Sequence, residues 1–285
     1  ISKIKELEKI QVKNMAPADT IINIADVVDA PLSNDNIVDA INKALAISSY
    51  IFIPNGKYTF NISLYQDCNI IMDKDAVIQS DSASPCIEMH NSRFTLTGGS
   101  VESGLNDDSR TLYGDILSAI IMCYDCHDIH IEQVHSGHSK HAAVLCFEDC
   151  TNITVENCYF NNFLMSAVRL LDYNKNFKMS NCVFTYAKRP TGHEYCYFFC
   201  NGARQTSLSY TMTPPDGILV ESCYGYDSED CGIDTHGARN VVFRNNVILQ
   251  TICALTAYND NGRVGRPNGW RMDNVLPGCA LWDVG

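Results

Sequence analysis

Six segments of the chain share one pattern of apolar and polar positions. They open at Asn69, Arg93, Asp128, Asn152, Asn176 and Asn240, and a seventh opens at Gly217 between the last two. In each, the second and fourth places are apolar: Ile70 and Met72, Phe94 and Leu96, Ile129 and Ile131, Ile153 and Val155. Phe177 and Met179, Ile218 and Val220, and Val241 and Phe243 continue the series. An alternation of period two reads as a strand with one face buried. Successive openings lie 24, 35, 24, 24, 41 and 23 residues apart. The two long intervals read as one coil plus insertions of roughly 11 and 17 residues. So short a unit cannot close a core alone, and successive coils must stack. Helical repeats have longer periods with helical periodicity, and the Leu-x-x-Leu-x-Leu pattern of leucine-rich repeats is absent. The pattern predicts an all-β solenoid, a parallel β-helix.

Two further columns fix the register. Asn157, Asn181, Ser222 and Asn245 share one place, and Cys158, Cys182, Cys223 and Asn246 the next. The Asn column is expected to turn inward, where its amides satisfy buried backbone groups. The Cys column is expected to be a ladder of buried thiols, because neighbouring rungs about 4.8 Å apart exceed the Cβ separation that a disulfide prefers. Before the first coil, residues 35–45 read as an amphipathic helix with Ile37, Ala40, Ile41 and Leu45 on one face. Strand-like Tyr50 to Ile53, a turn at Asn55 and Gly56, and Tyr58 follow. The organisation expected is a lead-in or linker over 1–34, opening with a short helix, and a β-helix domain over 35–285. No cap is legible after Trp282, so the natural chain is expected to continue there or to be covered by another subunit.

The order of helix, Ile51-Phe52-Ile53-Pro54 with Gly56 and Tyr58, and coils of 23 or 24 residues with an Asn column resembles the pectin-lyase-like superfamily. That group includes pectate lyases, polygalacturonases, alginate epimerases and phage tailspike depolymerases. The resemblance spans residues 35 to 250 or so. It implies a right-handed coil, an N-terminal capping helix over the open core, and glycan substrates lying along a strand-built groove. A tailspike would in addition be a homotrimer.

Composition narrows the partners. A formal net charge of −12 argues against nucleic acid, whose binding rests on clustered Lys and Arg. An acidic glycan needs only local positive charge, which Lys188, Arg189 and Arg204, or Arg263, Arg266 and Arg271, would supply. No apolar run is long enough for a membrane helix. The chain opens at Ile1 rather than Met, so it is expected to be processed from a longer precursor, and an extracellular setting is expected, secreted or on a virion surface. Fourteen cysteines would allow a disulfide framework, but such frameworks suit much shorter chains.

A second strand precedes each repeat segment. Aligning them puts Ile87, Ile120, Val144, Val168 and Ile233 in an inward column, with Glu88, Ile121, Leu145, Arg169 and Asp234 outward. His90, Cys123, Phe147, Leu171 and His236 come two places on. Asp234 and His236 then share a face about 7 Å apart along the strand, fit for dividing proton abstraction and return. Asp234-Thr235-His236 resembles the Asp-Pro-His of alginate epimerases, with Thr235 in place of Pro. Arg169, two coils earlier, suits a substrate carboxylate. The longer insertion adds Tyr195 as a general acid, with His193, Glu194, Tyr197 and Arg189 as substrate contacts. Glu229 and Asp230, with Asp227, are also substrate contacts, or a carboxylate pair for hydrolysis.

The polygalacturonase set Asn-Thr-Asp, Asp-Asp, Gly-His-Gly and Arg-Ile-Lys is absent, and Gly137-His138-Ser139 is a fragment of it. His135, His138 and His141 follow Cys123, Cys126 and His127, but a second CxxC is missing, so neither metal nor cofactor is expected. The expected activity is β-elimination or epimerisation of an acidic polysaccharide. The alternatives are a glycoside hydrolase of tailspike type and a non-catalytic adhesin or virion part.

Overall fold

A computed structural model describes residues 20–80, 82–104, 109–193, 195–201, 215–236, 238–258, 271–275 and 280–284, and side chains as far as Cys253 except that of His236. The opening helix expected before residue 12, Glu194, Arg204, Arg263 and Arg266 lie outside these residues, as does the side chain of Arg271.

Twenty-four strands join through parallel pairings into one continuous wound sheet. One coil shows the plan. Thr151–Glu156, Tyr159–Leu164 and Ser166–Leu170 follow each other around three walls. They pair in register with Lys175–Ser180, Val183–Lys188 and Tyr197–Asn201 of the next coil. Those three walls are here called the first, second and third sheets. The architecture is a parallel β-helix.

The inward column of the first sheet runs Phe94, Ile129, Ile153, Phe177, Ile218 and Val241, paired rung by rung and all buried. Aromatic rings extend the stack inside the coil, with Phe160 and Phe184 at 5.4 Å and Phe184 and Phe198 at 5.6 Å between centroids. Each such side chain contributes roughly 1.5–3 kcal/mol by leaving water. The helix spans Ile37–Leu45 and buries Ile37, Ala40, Ile41, Ala44 and Leu45 over the first coil. The chain joins the sheet before that helix, because Ile22–Asn23 already pairs with Tyr50–Ile53.

The corners differ from expectation in one respect. Asn157, Asn181, Ser222 and Asn245 are exposed turn residues at φ 54 to 56°, not inward amides. Asn tolerates the left-handed region better than most residues, which explains the column. The inward position is the next one. There the thiols of Cys158, Cys182 and Cys223 donate to the carbonyls of Glu156, Ser180 and Glu221 at 3.2, 3.4 and 3.4 Å. On the following rung Asn246 donates to the Val220 carbonyl and accepts from the Cys223 N–H, both at 3.0 Å. The corner between the third and first sheets repeats the device with Cys126, Cys150 and then Asn174, which accepts from the Cys150 N–H at 3.0 Å. All thirteen described cysteines are buried.

The long intervals resolve into loops at two corners. In one coil the second sheet ends at Ser100–Ser103, and residues 109–118 lead on to the third at Ala119–Tyr124. Within the longer insertion the strand Tyr197–Asn201 follows residues 189–196. The two loops meet where the Thr191 N–H donates to the Arg110 carbonyl at 2.8 Å.

Candidate functional site

The third sheet carries the candidate chemistry on its outer face. Register gives Ile87, Ile121, Leu145, Val168, Phe199 and Ile233 as one inward column. The outward column beside it is Glu88, Met122, Cys146, Arg169, Cys200 and Asp234. Arg169 and Asp234 therefore share a column two rungs apart, about 10 Å, as alternation predicts. Ile121, Leu145, Cys123 and Phe147 instead turn inward, and Tyr124 and Glu148 take the outward places next to His90. The slip has a physical cause. Ile120 and Ile121, Val144 and Leu145, Ala167 and Val168, and Phe198 and Phe199 are consecutive inward pairs where the chain rounds the corner. A count of two begun on the first member is one place out.

This outer face is covered rather than open. Asp234 is fully buried and Arg169 half-buried. Leu117 and Tyr124 pack on Ala119, Met122, Ala143, Cys146 and Leu171, and the Arg169 guanidinium donates to the Ile116 carbonyl. Residues 109–118 thus roof the lower part of the column at Ile116 and Leu117. The Nε of Arg169 has no hydrogen-bond partner among the described residues.

Tyr197 lies within electrostatic reach of Asp234. Burial first, and then the Asp234 carboxylate, push its phenol far above the ordinary range, so it is a proton donor held neutral. Tyr195, 41 % exposed, stacks on Tyr197 with centroids 6.0 Å apart, and His193 stands 6.3 Å beyond it. An aromatic step therefore runs from solvent to the buried column. The Cys200 thiol, between Arg169 and Asp234, is pushed up to about 11 by burial, with Arg169 pulling down and Asp234 up. His236 follows Asp234 on the strand and pairs with Tyr258.

Glu229 and Asp230 are engaged elsewhere. Arg110 grips Glu229 with two bonds of 2.5 and 2.7 Å, and the Arg189 N–H adds a third at 3.0 Å. Burial pushes this carboxyl up, but the bonds to Arg110 and Arg189 outweigh it and hold it below the usual range. Arg189 donates to Asp230 at 3.1 Å. These two acids and Arg189, expected to touch substrate, form a clamp joining both loops to the corner.

The histidines of the 135–141 stretch do not converge. His135 meets Tyr159 edge-on, His138 bonds Asn162 at 3.1 Å, and His141 is buried 3.2 Å from the Ser103 hydroxyl. His130, Glu132 and Glu156, on the outer face of the first sheet, have ligand atoms within 4.8 Å of one another and could hold an ion. Sequence reasoning missed that group, although His130, Glu132 and Glu156 follow directly from the coil period. It also missed Cys200, which the insertions hide from a simple count, and Arg110, which lies 119 residues from its partner.

The chain is a right-handed parallel β-helix with a loop-covered outer wall. Among solved structures, the surface adhesin PfbA of Streptococcus pneumoniae is similar at TM-score 0.67 and 13% identity, over 90% of this chain and 71% of that one. A family 28 exopolygalacturonase of Yersinia enterocolitica is similar at TM-score 0.59 and 12% identity, over 90% and 65%. No family model and no curated protein matches the sequence. No described helix is long and apolar enough to cross a membrane.

Proposed function

We propose that the chain is an extracellular carbohydrate-active enzyme that cleaves or epimerises an acidic polysaccharide along the third sheet. The observation that carries this reading is the single outward column of Arg169, Cys200 and Asp234, with Tyr197 within electrostatic reach of Asp234 and Tyr195 stepping out to solvent. Arg169 binds the uronate carboxylate and stabilises the charge that develops on it as the neighbouring C–H is broken. Asp234 with His236 takes that proton. In elimination the electron pair forms a double bond as the glycosidic C–O bond breaks, and Tyr197 protonates the departing oxygen. In epimerisation the proton returns from the opposite side. Tyr195 and His193 hold the sugar at the rim, where Glu194 belongs by sequence.

The test is a panel of uronate-containing glycans followed by ultraviolet absorbance and reducing-end assay. New absorbance with new ends marks elimination, and loss of it in Tyr197→Phe and Arg169→Lys supports the assignment. An ammonium cannot reproduce the fork of Arg, so the Lys variant is a stringent check. Full activity in both variants refutes it, and reducing ends without absorbance turn the reading to hydrolysis.

One observation favours a second reading, a glycan-binding surface protein without turnover. Asp234 is fully buried, whereas a proton-transfer group must reach its substrate. That reading predicts glycan binding, no product from any member of the panel, and no effect of Tyr197→Phe.

A further inference from the structure

The second sheet presents a face that the proposed reaction does not use. Its outward columns in four successive coils are Tyr159, Val183, Tyr224 and Val247, and beside them Asn161, Thr185, Tyr226 and Leu249. Tyr159 is 38% and Tyr224 39% exposed, and Tyr186, 46% exposed at the corner, meets Tyr226 edge-on at 6.3 Å. Thr185 bridges the columns. Its hydroxyl donates to the Asn161 amide oxygen at 2.9 Å and lies 3.3 Å from the Tyr159 hydroxyl. Exposed tyrosines, each with an apolar ring and a polar tip, are thus interleaved with hydroxyl and amide groups on a flat wall.

Charge identifies the partner. The whole chain carries −12, yet these two columns contain no Asp, Glu, Lys or Arg. An acidic glycan or a nucleic acid would find no Lys or Arg in these columns, and Asp227, beside Tyr186 on the following rung, borders them with a negative charge. A contact between two copies of the chain would have to extend well beyond these columns. From the strand and rung spacings the face measures about 7 Å by about 14 Å. A stable dimer needs roughly 800 Å² from each partner. The strands are paired on both sides, so a peptide cannot add as a further strand.

We infer that this wall of the second sheet is a binding site for a neutral polysaccharide chain. The chain lies along the solenoid axis with the C–H faces of its sugars on Tyr159 and Tyr224. Their hydroxyl groups meet Asn161, Thr185 and the tyrosine tips. Such a site anchors the protein to an uncharged glycan while the third sheet remains free, and it holds whether or not that sheet is catalytic.

Affinity electrophoresis in gels containing a soluble β-glucan, a galactomannan or a starch-type α-glucan tests it. At least one polymer should retard the protein, and the double variant Tyr159→Ala/Tyr224→Ala should lose that retardation. Each lost ring contact costs roughly threefold to tenfold, so binding should weaken at least about tenfold. Tyr224→Phe keeps the ring and should keep most of the binding. Circular dichroism and the melting temperature check that the variants are folded. Behaviour towards the uronate panel should be unchanged. No retardation by any of the three polymers overturns the inference, as does retardation that the double variant keeps. Loss of a dimer in sedimentation on mutating Tyr224 overturns it too, by making the face a contact between copies.

Discussion

Replacing Asn246 by Ala tests what holds one coil to the next at the corners. Asn246 is fully buried, and its amide accepts from the Cys223 N–H and donates to the Val220 carbonyl, both at 3.0 Å. Truncation strands two buried backbone groups, each costing about 1–3 kcal/mol without a partner. Some relaxation is expected, so the loss should be about 2–4 kcal/mol. Asn246→Cys is the informative control. On the three preceding rungs Cys occupies this place and donates to the carbonyl two residues upstream. Cys158 and Cys182 also reach the carbonyls of Ile131 and Val155 at 3.8 and 3.7 Å. A thiol should therefore give the Val220 carbonyl a weak donor but cannot replace the acceptor for the Cys223 N–H, and at most about half of the loss should return. Urea titration followed by far-ultraviolet circular dichroism gives both differences from the shift in midpoint at constant slope. An Ala variant within about 0.5 kcal/mol of the parent refutes the argument, because that is the range of ordinary surface changes. A Cys variant no better than Ala would show that thiol and amide are not interchangeable at this corner.

Gly225→Ala should destabilise by about 1–3 kcal/mol in the same assay, because a Cβ there would stand 2.4 Å from a ring carbon of buried Phe198. Cys68 and Cys146 should alkylate slowly until denaturant is added, since burial pushes both thiols up to about 12 and leaves almost no thiolate; rapid labelling of either in the native protein contradicts this. His141 is held down to about 4, mainly by burial, against an ordinary 6.5. The unfolded chain therefore binds this proton first, and stability should fall by about 3 kcal/mol as pH drops from about 6.5 to about 4. His141→Gln should flatten that part of the pH–stability curve, and an unchanged slope rules the residue out as its source.

Much of this was legible because one physical demand repeats in every coil. Each strand must bury alternate residues against the same axis, so Ile153, Phe177, Ile218 and Val241 declare both the strand and its period. Corners are harder. Asn is favoured at an exposed left-handed turn and also as an inward amide, so Asn157 and Asn246 look alike in sequence although one faces solvent and the other the core. Two consecutive inward residues, as at Ile120 and Ile121, break the alternation that would place their neighbours. The column of Arg169 and Asp234 was readable because it depends only on period. Its roof was not, since contacts such as that of Arg169 with Ile116 join segments 53 residues apart with no shared pattern.

The clamp at Glu229 and Asp230 carries the last step of the argument. Carboxylate-pair hydrolysis needs one carboxyl held protonated and another free to act on water or sugar. Glu229 is held below the usual range by three bonds, and Asp230 accepts from Arg189. Both acids are thus spent on joining the 109–118 and 189–196 loops to the same corner. A group that fastens the roof is poorly placed to give up its partner during turnover. What remains beneath that roof is a guanidinium with an unfilled donor, a neutral phenol and a carboxylate, in a wall that an aromatic step connects to solvent. On the reading proposed above, that set would serve removal of a proton beside a carboxylate.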